Sequence, residues 1–131
     1  MAILVDSSVW IASAHSKNKE CKLLKDLIEK NKETIYIALP IQVEVCQGAR
    51  THGEFERLWD AFLGFDFLEI EDSLWAQSAW NYFQCKKRGI ITSTIDCLIA
   101  TLSHAYHTPL WTLDKHFKMM QPVIGFELFQ P

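Results

Sequence analysis

The chain opens with an uninterrupted apolar run, residues 2–5, which is followed by Asp6 and two serines. Such a run without polar alternation is typical of a strand buried on both faces, although periodicity alone also allows a turn of buried helix. Ser7 and Ser8 favour the strand, because serine is a preferred residue at a helix start. This order predicts that Asp6 lies at the carboxyl edge of a sheet, where open α/β folds bind their ligands.

Strand-like runs and helical spacing alternate along the rest of the chain. Further strands are predicted at residues 34–38, 65–70 and 109–112, with a possible last strand at 123–124. A short helical pattern is predicted after Asp6, broken at residues 15–18, and an amphipathic helix follows it and ends near Asn31. Further helices are predicted at 40–49, at 55–63 closed by Gly64, at 72–88 with Ser73 or Asp72 as cap and Gly89 as stop, and at 94–106, with a turn or short helix at 115–117. The order β-αα-β-αα-β-αα-β predicts a parallel sheet with helices on both faces.

Length and composition predict a single domain over residues 1–131, with 49% hydrophobic and 22% charged residues. No apolar run approaches the length of a membrane span, and no leader precedes the first strand, so a cytosolic location is expected. The net charge of -3 argues against a protein that coats nucleic acid through bulk charge. The four cysteines include no C-x-x-C pair and are expected to be reduced structural thiols.

Four acidic residues stand in apolar or helix-start contexts: Asp6, Glu44, Asp96 and Asp114. Taken singly, each has a structural explanation as a helix cap, a solvated helix residue, a dipole partner or a turn residue. Because parallel strands present their carboxyl ends on one side, however, the four side chains are able to converge on one cleft. Clustered carboxylates raise one another's pKa unless a cation lies between them. Mg²⁺ or Mn²⁺ would suit such a site and would activate water for phosphodiester hydrolysis.

Four segments together resemble the motifs of PIN-domain ribonucleases, and among these the VapC-type toxins of toxin-antitoxin systems. They are LVDSSVWI at residues 4–11, Glu44 after a strand-proline junction, TIDCLIA at 94–100 and WTLDKHF at 111–117. The resemblance implies a PIN-like three-layer α/β/α sandwich with a central, mostly parallel sheet. It also implies a Mg²⁺- or Mn²⁺-dependent endoribonuclease with Asp6, Glu44, Asp96 and Asp114 as its acidic cluster and Thr112 as a polar support.

The same resemblance implies an RNA substrate, a cognate antitoxin protein and a homodimer. One departure is visible, because the last motif often carries a second acid near the position of His116. Asp6 and Asp96 are expected to be the main metal ligands. Glu44 and Asp114 are expected to act through water or to hold a second ion.

Two other functions fit parts of the pattern. A receiver-like phosphoacceptor domain also uses acids, Mg²⁺ and a parallel sheet, but Glu69 and Lys115 fit poorly as its acceptor and late lysine. A non-catalytic interaction module would keep the fold without the chemistry. Two further clusters each have a functional and a structural interpretation. The first is a group of basic residues that either line an RNA path or are simply solvated: Lys17, Lys19, Arg50, Lys86, Lys87 and Arg88. The second is the helical pair His104 and His107, a possible metal pair that has no third ligand nearby in sequence.

Overall fold

The computed structural model of the protein describes residues 1–15, 19–30 and 33–131. Strands and helices alternate in the predicted order over this part of the chain. The strands are β1 (Ala2–Val5), β2 (Thr34–Ile37), β3 (Asp66–Phe67) and β4 (Leu110–Trp111). The helices are α1 (Ser7–His15), α2 (Lys19–Glu29), α3 (Leu39–Cys46), α4 (His52–Ala61), α5 (Asp72–Lys87), α6 (Thr94–Ala105) and α7 (His116–Ile124).

All four strands are parallel and lie in the order β3-β2-β1-β4. The first strand therefore sits inside the sheet, with Ile3 opposite Ile35 on one side and Val5 opposite Trp111 on the other. Parallel sheets require crossover connections, and here helical pairs supply them. The predicted parallel sheet with helices on both faces is confirmed. The order differs from the 2-1-3-4-5 arrangement of receiver domains, so that alternative is wrong.

The two faces of β1 enter two separate hydrophobic cores, because successive side chains of a strand point in opposite directions. Leu4 packs in the core that contains α6 and α7. Ile3 and Val5 pack on the opposite face, against side chains of α1 and α2. All three side chains are fully buried. This burial accounts for the unbroken apolar run at the start of the sequence and gives the three-layer α/β/α sandwich.

Helix α6 is buried from Cys97 to Ser103 and has an apolar environment on most sides. Its polar groups are paired with neighbouring groups: Asn81 Nδ2 of α5 donates to Thr101 Oγ1 at 2.9 Å, and that hydroxyl donates to the Cys97 carbonyl at 2.7 Å. These bonds satisfy groups that would otherwise be costly to bury. They fix α6, and with it the position of its first turn, against α5.

The predicted strand at residues 123–124 is wrong, because both residues belong to α7. The buried residues of this helix, Phe117, Met120 and Ile124, recur at helical spacing. This burial outweighs the strand preference of Val123 and the presence of Pro122, whose missing N–H weakens a helix interior. A parallel bridge to Leu110 is instead made further on, by Leu128.

Other boundaries differ by a few residues. The third strand is confined to Asp66–Phe67, α4 ends at Ala61 rather than at Gly64, and the N-cap of α5 is Glu71. Gly89 follows α5 in the left-handed conformation, with φ of 74°, as its role as a stop predicts. The predicted helix end near Asn31 and the basic residue Lys17 lie outside the described residues. No helix in the described ranges has the length and apolarity needed to cross a membrane.

Candidate active site

Asp6 immediately follows β1, at the carboxyl edge of the sheet. Its backbone N–H donates to the Trp111 carbonyl at 2.9 Å and so extends the pairing between β1 and β4. The residue is only 3% exposed. Its Oδ2 accepts hydrogen bonds from Ser8 Oγ and Thr112 Oγ1, both at 2.8 Å. Its Oδ1 is buried and has no hydrogen-bond partner among the described residues.

The two hydroxyl groups that hold Asp6 are themselves fixed by the loop after β4. Ser8 Oγ accepts from the Leu113 N–H and Thr112 Oγ1 accepts from the Asp114 N–H, both at 3.0 Å. Each hydroxyl has one proton, and the short bonds to Asp6 use both of them. The 3.2 Å separation of the two hydroxyl oxygens is therefore a close approach rather than a further hydrogen bond. This network orients the carboxylate and leaves Oδ1 unengaged.

Glu44 reaches the same edge from α3, the helix that follows β2. Its side chain is half-buried, and its Oε1 accepts a 3.3 Å hydrogen bond from Ser7 Oγ. Burial raises the pKa of Glu44, and the negative charges of Asp6 and Asp96 raise it further, against the weaker effect of the Ser7 hydrogen bond. Glu44 is thus not the solvated helix residue that its sequence context also allowed.

Asp96 lies in the first turn of α6, whose N-cap Ser93 accepts a hydrogen bond from the Asp96 N–H at 3.0 Å. Burial raises the pKa of the Asp96 carboxyl, and the charges of Asp6 and Asp114 act in the same direction. Its pKa is raised despite a favourable place at a helix N-terminus, where a carboxylate is normally stabilised. Burial and the repulsion from the other acids outweigh that benefit.

Asp114 follows β4 and is the acid of the four whose carboxylate contacts a histidine ring. Its Oδ1 accepts from the His116 backbone N–H at 2.9 Å and lies 2.8 Å from the His116 ring Nδ1. Burial works to raise the pKa of Asp114, but the two hydrogen bonds and the charge of His116 together lower it. His116 therefore stands where the resemblance suggested a second acid, and its hydrogen bonds hold Asp114 in place.

The four acids that the sequence singled out are linked to one another in pairs. Asp6 acts electrostatically on both Glu44 and Asp96, and Asp96 is also affected by Asp114. Even so, within the described ranges no three His, Cys, Asp or Glu side chains are already arranged as ligands of a single ion. The donor chemistry nevertheless fits Mg²⁺ or Mn²⁺, because such an ion accepts one or two carboxylates and keeps several waters. The unpaired buried Oδ1 of Asp6 is the natural first ligand.

Sequence reasoning missed the roles of the two serines and of His116. The pattern marks Ser7 and Ser8 only as helix-start residues, yet one contacts Glu44 and the other Asp6. The signal in the sequence that could have indicated these contacts is the pair of hydroxyl residues directly after a buried acid. Arg88, from the basic group, lines a depression with His104 near the end of α6, not the acidic cluster.

A comparison with protein-family models gives the decisive match. The model of the PIN domain matches residues 3–121. The chain belongs to the PIN domain family. The predicted resemblance is therefore confirmed at the level of family, and the match includes all four acids of the site. No curated protein shows significant sequence similarity to this PIN domain.

Solved structures similar to this PIN domain include several toxin-antitoxin proteins. VapBC2 from Rickettsia felis, bound to a DNA fragment from its promoter, has a TM-score of 0.79 at 18% identity, over 98% of both chains. VapBC-1 from nontypeable Haemophilus influenzae has a TM-score of 0.78 at 14% identity, over 99% of this chain and 97% of the other. VapC20 from Mycobacterium tuberculosis, a sarcin-ricin loop cleaving toxin, has a TM-score of 0.74 at 16% identity, over 98% and 99% of the two chains. At these identities the likeness establishes a common fold.

Proposed function

We propose that this PIN domain is a divalent-metal-dependent endoribonuclease and the toxin of a type II toxin-antitoxin pair. The observation that carries the proposal is the buried, unpaired Oδ1 of Asp6, a carboxylate that acts electrostatically on both Glu44 and Asp96. An unpaired buried carboxylate oxygen is costly, and like charges around it add to the cost. A hard cation relieves both, so the arrangement is best explained as a binding site.

Asp6 and Asp96 are proposed as the main ligands of Mg²⁺ or Mn²⁺, with Glu44 and Asp114 acting through water or holding a second ion. The bound ion supplies charge neutralisation at phosphate oxygens and activation of water. Ser8 and Thr112 keep the Asp6 carboxylate in one orientation through their bonds to its Oδ2. His116 orients Asp114 and keeps it ionised through the bonds to its Oδ1.

An antitoxin protein and a second copy of the chain are proposed as partners, and the cytoplasm as the site of action. The toxin-antitoxin complexes among the similar structures support the first of these. Beside Glu44 lies a groove of ≈ 920 Å³ lined largely by apolar side chains. Leu39 and Trp75 in this groove are 56% and 47% exposed. Exposed apolar surface of this kind is typical of protein–protein contacts.

The test of the nuclease proposal compares RNA cleavage in the presence of Mg²⁺ by the natural protein and by Asp6→Asn and Asp96→Asn. We expect both variants to keep their circular dichroism spectra and to lose cleavage. Asp60→Asn, which changes an exposed acid of α4 in the same way, should cleave as the natural protein does. Folded Asp6→Asn and Asp96→Asn proteins that still cleave RNA would overturn the proposal.

The non-catalytic alternative makes a different prediction about metal binding. A purely structural domain should bind no Mn²⁺ at millimolar concentrations, whereas the proposed site should give a calorimetric binding signal that is lost in Asp6→Asn. Absence of any signal in the natural protein would favour the interaction module.

A further inference from the structure

A second cleft, of ≈ 240 Å³, adjoins the acidic cluster at Asp114. It lies between the start of α2 and the start of α7, and it shares two wall residues with the acidic cluster, Thr112 and Asp114. Three lysines line it: Lys19 from α2, Lys115 just before α7, and Lys118 within α7. A concentration of cations therefore lies directly beside Asp114, one of the four acids.

The three ammonium groups are available for a ligand. Among the described residues none of them forms an ion pair, although Glu20 and Asp114 also line the cleft. All three lysine residues are exposed. Three lysines against the two carboxylates of Glu20 and Asp114 leave this concave surface with an excess of positive charge, even in a protein of negative net charge.

The floor of the cleft is apolar and aromatic. Leu23, Trp111 and Phe129 line it, and the rings of the two aromatic residues are 5.7 Å apart. Trp111 is nearly fully buried, whereas Phe129 is partly exposed. A cationic rim over an aromatic floor is the combination that binds single-stranded nucleic acid, because lysines meet the phosphates and rings meet the bases.

We propose that this lysine cleft binds the nucleotide next to the scissile phosphate of the RNA substrate, with its backbone phosphate on Lys19, Lys115 and Lys118 and its base against Phe129. The inference rests on the proposed nuclease function. Carboxylates repel a polyanion, so an RNA strand needs cationic anchors beside them. These lysines adjoin Asp114, and they set the direction in which the strand leaves the acidic cluster.

The test is binding of a fluorescein-labelled single-stranded RNA oligonucleotide, followed by fluorescence anisotropy over a series of KCl concentrations. EDTA is present throughout, so that binding is measured without cleavage. We compare Lys19→Gln/Lys115→Gln/Lys118→Gln with a control of equal charge change, Lys25→Gln/Lys86→Gln/Lys87→Gln. The control residues are exposed and do not line the cleft, and two of them belong to the basic group that the sequence suggested as an RNA path.

The triple change in the cleft should weaken RNA binding at least tenfold. It should also reduce the slope of log affinity against log salt by about 0.7 for each phosphate that the cleft no longer neutralises. The control should stay within twofold of the natural protein. Equal weakening by both sets, or no weakening by the cleft set, would overturn the inference. Displacement of the RNA from the natural protein by an equally charged polyglutamate at the same concentration would also overturn it, in favour of an acidic protein ligand.

Cleavage of the same oligonucleotide in Mg²⁺ separates the two proposals. Lysine-dependent binding without cleavage by the natural protein would refute the nuclease function and leave the lysine cleft as a nucleic-acid site. Cleavage by a protein whose RNA binding does not depend on the three lysines would refute only the proposed RNA-binding role of the cleft.

Discussion

Replacement of Thr112 by valine tests whether the hydroxyl network holds Asp6 as the structure shows. Valine keeps the shape of threonine but removes the 2.8 Å bond to Asp6 Oδ2 and the acceptor of the 3.0 Å bond from the Asp114 N–H. A hydrogen bond to a charged group contributes about 1.5–3 kcal/mol. Because Thr112 is only half-buried, we take the lower end of that range and add up to about 1 kcal/mol for the missing acceptor.

The expected loss is therefore about 1.5–2.5 kcal/mol in the free energy of unfolding, or roughly 5–10 °C in Tm for a chain of this size. Urea denaturation in EDTA, followed by circular dichroism, measures it without interference from metal binding. Thr112→Ser should recover most of the loss, because it restores the hydroxyl. Thr34→Val, the same change at an exposed position of β2, is the matched control.

A double-mutant cycle with Asp6→Asn then isolates the interaction between the two side chains. A coupling energy below about 0.5 kcal/mol would contradict the reasoning, because the bond would then contribute nothing specific. In metal-binding experiments Thr112→Val should weaken Mn²⁺ affinity by roughly 10- to 100-fold, as is usual when a group that orients a ligand is removed. Unchanged affinity would show that Thr112 does not position Asp6 for metal binding.

Two further predictions concern stability. Because the pKa values of Glu44 and Asp96 are raised in the folded protein, their contribution to metal-free stability is fully present below their unfolded pKa values, near about 4, and is lost as pH rises through the folded values. Asp6→Asn should reduce this loss in urea titrations in EDTA, and an unchanged pH dependence would contradict the convergence of the acids. Gly125→Ala should destabilise by about 1 kcal/mol, since Gly125 has φ of 82°, whereas Gly64→Ala should be nearly neutral in thermal melts.

The relative positions of the acids could be predicted from the sequence because they follow from chain topology. The apolar run that ends in Asp6 is typical of a strand inside a parallel sheet. The helices that alternate with the strands predict that the neighbouring strands are parallel to it. Parallel strands then required Asp6 and Asp114 to share an edge. Four elements far apart in sequence were thereby predicted to meet, and their mutual effects on pKa are what such a meeting produces.

What the sequence could not show depends on tertiary packing. The β-branched Val123 and Ile124 suggested a strand, but burial of Ile124 together with Phe117 makes the segment helical. The sequence could not distinguish a helix-capping role of Ser8 from its hydrogen bond to Asp6, because the same hydroxyl serves either role. The lysine cleft exists only because the start of α2 lies near the start of α7, which no local pattern predicts.

The position of Asp6 at the end of an interior strand has a consequence for control of the molecule. Its buried amide is paired across the sheet with the Trp111 carbonyl, and buried amides of interior strands are generally among the last to open. Hydrogen exchange at this amide should therefore follow global unfolding. We therefore expect a regulator to act by covering the acids rather than by loosening the end of β1.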